Sequence, residues 1–114
     1  MKMNHKLETS EDVLDKLFTV ICSRRENETK GSYTSTLFEG GQQLIARKVG
    51  EEAIECVVAG LSGTKKEIIS ESSDLLFHLM VLWSNSGILP KDVWEELTRR
   101  QGISGLVEKK SRSS

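Results

Sequence analysis

Two long segments with apolar residues at helical spacing, separated by a very short turn, constrain this chain most. The first covers about residues 42–61 and the second about 64–86. Thr64 and Glu67 have the spacing of a capping box, which predicts where the second of these helices begins. Because only Ser62-Gly63 joins the segments, the two helices must run antiparallel. The sequence therefore predicts a fold built around a helical hairpin.

Two further helices are predicted outside the hairpin. Apolar residues recur at helical spacing over about residues 10–25, and Pro90 suits the first turn of a last helix that ends near Gln101. The polar stretch 26–36 is predicted to be a loop. The chain has one proline and 5% aromatic residues, and it shows no strand pattern. We therefore expect an all-α, four-helix, bundle-like fold.

Length and charge narrow the class of protein further. The 114 residues suit one domain, with a core at about 10–101 and a flexible tail over 102–114. A net charge of −1 argues against broad nucleic-acid binding. The sequence shows neither a membrane-length apolar run nor the pattern of a signal peptide, and its two cysteines form no disulfide framework, so a cytoplasmic protein is expected.

The short chain also predicts a partner subunit. The helix expected over residues 64–86 is apolar nearly all round at residues 75–83, and it needs more cover than three short helices supply. We expect a homodimer to which this helix and the last helix contribute.

Acidic residues face one another across the predicted hairpin. Glu55 lies six residues before Leu61, and Glu71 lies six residues after Lys65. Glu52 and Asp74 lie nine residues from the same two ends, and Glu51 lies beside Glu52. At the helical rise these pairs lie about 9 Å and about 13–14 Å from the turn. Four carboxylates can therefore meet on facing helices.

Such a group of carboxylates favours a divalent cation. Like charges beside apolar residues repel one another and lose hydration, and residues 68–83 contain no basic side chain to offset this. Oxygen ligands alone indicate Mg²⁺ or Mn²⁺ rather than Zn²⁺. The alternative is a solvated helix face that forms salt bridges with nearby cations, namely Arg47, Lys48, Lys65 and Lys66.

Three motifs in order carry a resemblance to a known family. They are residues 48–55 (KVGEEAIE), residues 32–38 (SYT followed by LF) and residues 74–78 (DLLFH). The acidic pattern resembles the all-α nucleotide pyrophosphohydrolases, the MazG-like superfamily. The three motifs together, spanning about residues 32–100, resemble the phosphoribosyl-ATP pyrophosphohydrolases of histidine biosynthesis. Ser72-Ser73 departs mildly from that pattern, at positions where small apolar residues are expected.

The resemblance implies a reaction and a set of roles. The reaction is hydrolysis between the α and β phosphates of 1-(5-phosphoribosyl)-ATP, which yields 1-(5-phosphoribosyl)-AMP and pyrophosphate. Carboxylates would hold Mg²⁺, with Mn²⁺ as an alternative, and one carboxylate would accept a proton. The implied metal ligands are Glu52, Glu55, Glu71 and Asp74. The candidate bases are Glu51 and Glu55, Lys48 would contact phosphate, His78 would support the acidic site, and Ser32, Tyr33 and Thr34 would shape the nucleotide pocket.

Other functions remain open at this point. A house-cleaning (deoxy)nucleoside triphosphate pyrophosphohydrolase would share the metal site and differ in the pocket. A di-iron bundle protein usually has a Glu-x-x-His pair on each of two helices, and here His78 is the only histidine near the acids. A helical interaction module whose acids face a basic partner would bind no divalent metal.

Overall fold

The structure is a computed structural model that describes residues 10–27 and 30–101, and this part of the chain is all-α, as predicted. Its four helices are α1 (Ser10–Glu26), α2 (Tyr33–Ser62), α3 (Lys65–Asn85) and α4 (Pro90–Arg100). The tail predicted over 102–114 lies outside the described residues. None of the four helices has the length and hydropathy needed to cross a membrane.

The predicted hairpin is confirmed, and local hydrogen bonds define its turn. The Gly63 N–H donates to the Ala59 carbonyl at 2.8 Å, which closes the end of α2. The Glu67 N–H donates to Thr64 Oγ1 at 3.2 Å, and the Thr64 N–H donates to Glu67 Oε1 at 2.7 Å. These two bonds form the capping box, so α3 begins where the sequence predicted.

The predicted loop 26–36 is too long, because α2 already begins at Tyr33. Ser32 caps this helix, and its hydroxyl accepts a hydrogen bond from the Ser35 N–H at 3.2 Å. Thr36 Oγ1 donates to the Tyr33 carbonyl at 2.5 Å. Hydroxyl residues, which indicate a loop when they cluster, here form a cap and a first turn.

A kink at Gly41 divides α2 into two helical segments. This glycine has φ 81° and ψ −177°, a conformation that residues with a Cβ atom rarely adopt. The sequence predicted a break at this point and a helix from about Gln42 onwards, and both predictions hold. The segment before the kink contacts α3, where Tyr33 meets Phe77 and His78.

The core lies where α1 and the first segment of α2 cover α3. Phe18 and Ile21 of α1 pack there with residues from the other two helices. Trp83 and Trp94 pack edge to face beside the core, with ring centroids 5.9 Å apart. The buried apolar cluster consists of Phe18, Ile21, Leu37, Ile45, Met80 and Val81.

The part of the hairpin near the turn is much less covered than its apolar pattern predicts. The side chains of Ile54, Leu61 and Ile69 are 64%, 84% and 67% exposed to solvent. The sequence predicted burial of α3 only at residues 75–83, where every side chain except that of Leu76 is buried or half-buried. The apolar residues near the turn stay exposed because, within the described chain, α1 and α4 pack against the other end of the hairpin. The apolar pattern is correct, but the described part of one short chain covers only part of it.

Candidate active site

Three carboxylates from the two hairpin helices come together. Oxygens of Glu52 on α2 and of Glu71 and Asp74 on α3 all lie within 4.8 Å of one another. Glu52 and Glu71 are half-buried, and Asp74 is exposed. The three residues meet because residues three apart share a helix face and the short turn brings both faces to the same depth.

The electrostatics of this cluster favour a bound cation. Burial raises the pKa of Glu71 above its ordinary value, and the negative charges of Asp74, Glu55, Glu52 and Glu67 raise it further, in that order. A divalent cation beside Glu71 would reverse the effect of these charges on its pKa.

The donor set fits Mg²⁺ or Mn²⁺. All three groups are carboxylates, the hard oxygen ligands that these ions prefer. The 4.8 Å spread is close to the ~4.2 Å that separates two opposite ligands of a Mg²⁺ ion bound at ~2.1 Å. Small side-chain adjustments would therefore bring all three groups onto one ion. Exposure of Asp74 leaves room for water and phosphate oxygens.

Glu55 lies next to the three-carboxylate group without joining it. Its charge raises the pKa of Glu71, so the two residues are close. Glu55 and Glu71 also line a cavity of about 150 Å³ at the end of the hairpin, together with Glu67. The sequence identified Glu67 only as a capping residue. Its spacing of four residues from Glu71 is the sequence signal that places the two carboxylates on the same side of α3.

Glu51 and Lys48 pair with each other. Lys48 Nζ lies 3.2 Å from Glu51 Oε1, and Arg47 Nε lies 3.7 Å from Glu51 Oε2. Glu51, predicted as a candidate base, therefore faces two cations and is not one of the three clustered carboxylates. Exposed helix pairs of this kind contribute about 0.3–0.5 kcal/mol, so Lys48 can exchange this partner for a phosphate at little cost.

His78 connects the acidic cluster to the segment that precedes the kink. Its ring is buried, with Nδ1 2.7 Å from the Asp74 carbonyl oxygen and Nε2 2.8 Å from the Tyr33 hydroxyl. A residue at the start of α2 is thus joined through one imidazole ring to the backbone of Asp74.

Tyr33 belongs to a group of rings with Phe77 and His78. The sequence predicted roles for Tyr33 and His78 but not for Phe77. The Tyr33 ring stacks on Phe77 with centroids 6.3 Å apart, and Phe77 meets His78 edge to face at 5.1 Å. Phe77 was quoted as part of a motif but received no role. Of the other predicted pocket residues, Ser32 caps α2 and Thr34 is half-buried.

The comparisons with known proteins agree with this geometry. The model of the family "Phosphoribosyl-ATP pyrophosphohydrolase" matches residues 14–101. The chain belongs to the phosphoribosyl-ATP pyrophosphohydrolase family. All residues that carry the resemblance lie within the matched range, and members of this family are hydrolases, so the chain is an enzyme.

Individual relatives of the family cover nearly the whole chain. The phosphoribosyl-ATP pyrophosphatase of Paramagnetospirillum magneticum is 52% identical over 101 residues, which are 89% of this chain and 93% of that protein. The enzyme of the same name from Azospirillum brasilense is 48% identical over 90% of this chain and 92% of its own length. That of Sulfurisphaera tokodaii is 52% identical over 80% and 97%.

Proposed function

We propose that this chain hydrolyses the α–β phosphate bond of 1-(5-phosphoribosyl)-ATP, giving 1-(5-phosphoribosyl)-AMP and pyrophosphate in histidine biosynthesis. The observation that carries this proposal is the group of three carboxylates within 4.8 Å in a chain whose family model covers residues 14–101. We place the reaction in the cytoplasm, and the free thiols of Cys22 and Cys56 are compatible with a reducing compartment.

Glu52, Glu71 and Asp74 would hold Mg²⁺, or Mn²⁺ in its place, with Glu55 as the fourth carboxylate. When bound, the cation supplies charge neutralisation for the phosphates and a lower pKa for a coordinated water. A carboxylate outside the closest group is free to take the proton of the attacking water. Because Glu51 is paired with Lys48 and Arg47, we favour Glu55 Oε as the proton acceptor.

The rest of the substrate would lie between Lys48 and the start of α2. Lys48 Nζ would bind a phosphate oxygen, with Glu51 positioning it in the free enzyme. Ser32, Tyr33 and Thr34 would face the ribosyl and base groups. His78 would hold Tyr33 in place through the hydrogen bond at 2.8 Å.

Pyrophosphate release by the purified protein tests this function. The assay compares phosphoribosyl-ATP with ATP and a panel of deoxynucleoside triphosphates, with Mg²⁺ and then with EDTA. We expect rapid release from phosphoribosyl-ATP alone, abolished by EDTA. Release from the whole panel would instead make the chain a house-cleaning pyrophosphohydrolase. An absence of release under conditions in which Mg²⁺ binds would contradict both functions.

We also propose that the enzyme is a homodimer. The exposed apolar side chains near the hairpin turn lie on α2 and α3, and a second copy of the chain would bury them without an additional domain. The last helix, which we expected to contribute, exposes Leu97. The residues that support this interface are Ile54, Val57, Val58, Leu61 and Ile69.

Light scattering at micromolar concentration tests the dimer. We expect twice the chain mass of 12.8 kDa for the wild type. Val57→Glu should give a monomer, because a carboxylate would be buried without a partner at the interface. Val20→Glu, the same substitution at an exposed valine on α1, is the control and should leave the dimer intact. A monomeric wild type would disprove the proposed assembly.

A further inference from the structure

The hydrogen bonds of His78 determine which way the Tyr33 hydroxyl can interact. The Asp74 carbonyl has no proton to donate, so His78 Nδ1 must carry the hydrogen in the 2.7 Å bond between them. In a neutral imidazole the other nitrogen is then an acceptor. The Tyr33 hydroxyl, 2.8 Å from Nε2, must therefore donate its only proton to His78.

This arrangement restricts what Tyr33 can bind. Tyr33 is 50% exposed as a residue, so a ligand can approach this side chain. With its proton directed at His78, that oxygen offers only lone pairs. Phosphate oxygens also offer only lone pairs, and they would be repelled. A ribose hydroxyl or a purine amino group carries a hydrogen and would be accepted.

We infer that the hydrogen-bond chain from the Asp74 carbonyl through His78 to Tyr33 makes the Tyr33 hydroxyl an acceptor that recognises an O–H or N–H donor on the nucleoside part of the substrate. His78 is a positioning residue in this scheme, and Tyr33 determines specificity. The inference rests on the proposed function for the identity of the substrate. It separates the pocket into two parts, with phosphates bound at the acidic cluster and a hydrogen-bond donor of the substrate bound at Tyr33.

The tautomer can be measured without any turnover. The chain has two histidines, so the His5→Gln variant leaves His78 as the only imidazole in a ¹⁵N spectrum. Long-range proton–nitrogen correlations at neutral pH should show a protonated Nδ1 and an unprotonated Nε2. A protonated Nε2, whether in the other tautomer or in the doubly protonated ring, would overturn the inference.

Kinetics of Tyr33→Phe test the contact with substrate. Loss of one neutral hydrogen bond should raise KM for phosphoribosyl-ATP roughly three- to tenfold with kcat unchanged. Inhibition by phosphoribosyl-AMP should weaken by the same factor, and inhibition by pyrophosphate should not change. Thr19→Val, which removes an exposed hydroxyl from α1, is the matched control and should alter neither constant. Weaker inhibition by pyrophosphate, or no change in any constant, would contradict the inference.

Variants of His78 test its positioning role. His78→Phe removes the acceptor and should raise KM as Tyr33→Phe does, and the double variant should be no worse than either single one. His78→Gln retains an amide oxygen that can accept from Tyr33 and should restore most of the lost affinity. Additive losses in the double variant would contradict the role. Inhibition by AMP, 2′-deoxy-AMP and inosine monophosphate then distinguishes a hydroxyl donor from an amino donor.

If the wild type releases no pyrophosphate from phosphoribosyl-ATP, the proposed function fails together with the substrate contact derived from it. The tautomer of His78 is still decided by the ¹⁵N spectrum. If the wild type is active and Tyr33→Phe behaves as the wild type does, only the inference about Tyr33 fails. The two failures are therefore distinguishable.

Discussion

The α2–α3 hairpin has two halves with similar apolar patterns and very different surroundings. We call residues 42–49 and 75–85 the covered half, and residues 50–62 and 65–74 the turn half. Ile45 is fully buried in the covered half, whereas Ile54 is 64% exposed in the turn half. In the part of the chain that the structure describes, Ala59 is the only apolar residue of the turn half that is buried.

The difference shows how stability and chemistry are divided within one hairpin. The covered half packs against α1 and the first segment of α2, and it shares the buried core with them. The turn half holds the clustered carboxylates, whose mutual repulsion works against a compact fold until a cation is present. This exposed half is where we propose that the substrate and a second subunit bind.

Asp74→Asn should give the largest effect of any single change in the turn half. The amide retains the shape of the side chain but removes a charge from the metal site, so we expect turnover of phosphoribosyl-ATP to be nearly abolished. The loss should exceed the ~10–100-fold typical of removing an outer partner of a metal ligand. Pyrophosphate release measures the change, and circular dichroism should show an intact helical fold.

Asp15→Asn is the matched control for this substitution. Asp15 is an exposed acid on α1, outside the three-carboxylate group, and its replacement should leave turnover unchanged. Wild-type activity of Asp74→Asn would remove Asp74 from the proposed metal site. Equal losses in the two variants would indicate a general effect of charge rather than a specific site.

Ile45→Ala compared with Ile54→Ala measures the contrast between the halves directly. Truncating the buried Ile45 should lower the free energy of unfolding by about 2–5 kcal/mol, because it leaves a cavity. The same change at Ile54 should cost much less in dilute protein, because this side chain is 64% exposed within one chain. Urea unfolding at two protein concentrations gives both values. A large, concentration-independent cost at Ile54 would mean that the turn half is covered within one chain.

The hairpin could be predicted from sequence because its signals are local. Thr64 and Glu67 determine a helix start by hydrogen bonds within four residues, and Ser62-Gly63 is too short for any connection but an antiparallel one. The carboxylate cluster followed from counting residues along two such helices. Local chemistry and helical geometry were sufficient for these features.

Other features were predicted wrongly or were left open by the sequence. The helical start at Tyr33 is supported by its contacts with Phe77 and His78, which lie more than forty residues away. The exposure of Ile54 depends on which elements reach the turn half, and an apolar pattern does not encode this. Spacing alone left open whether Lys48 forms a salt bridge on the helix surface or contacts phosphate, and in the structure it pairs with Glu51.

Glu71→Gln should stabilise the metal-free protein at neutral pH. Because folding raises the pKa of Glu71 above 4.5, the folded state holds its proton more tightly than the unfolded state. Its stabilising contribution is fully present below pH 4.5 and is lost as the pH rises through the folded-state pKa. With EDTA at pH 7, the variant should therefore unfold at a slightly higher urea concentration than the wild type.

The same variant should respond less to Mg²⁺. Added Mg²⁺ should raise the thermal midpoint of the wild type more than that of Glu71→Gln, because stabilisation by a ligand follows its affinity for the folded state. Thermal unfolding with and without Mg²⁺ measures this. An equal response in both proteins would remove Glu71 from the metal site, and a less stable metal-free variant would contradict the repulsion among the acids.

Glu96 on α4 should show the opposite pH dependence, with a smaller effect. Its carboxylate accepts from Arg99 Nε and Nη2 at 3.1 and 2.7 Å and from Arg100 Nε at 2.8 Å, and these bonds lower its pKa to about 2. A lowered folded-state pKa stabilises the protein above the ordinary value of 4.5, and the contribution disappears as the pH falls from 4.5 towards 2. Solvent screening keeps it small at this exposed site.

Urea midpoints of Glu96→Gln and wild type, measured from pH 7 down to pH 2, test this sign. The wild type should be slightly more stable at pH 7, and the two curves should converge as the pH falls below 4.5. Glu95→Gln, a neighbour on the same helix, controls for the loss of one charge. A difference that persists at pH 2 would show that Glu96 acts through packing. Opposite pH dependences at Glu96 and Glu71 would establish that an ionised carboxylate stabilises this fold beside cations and destabilises it beside other acidic residues.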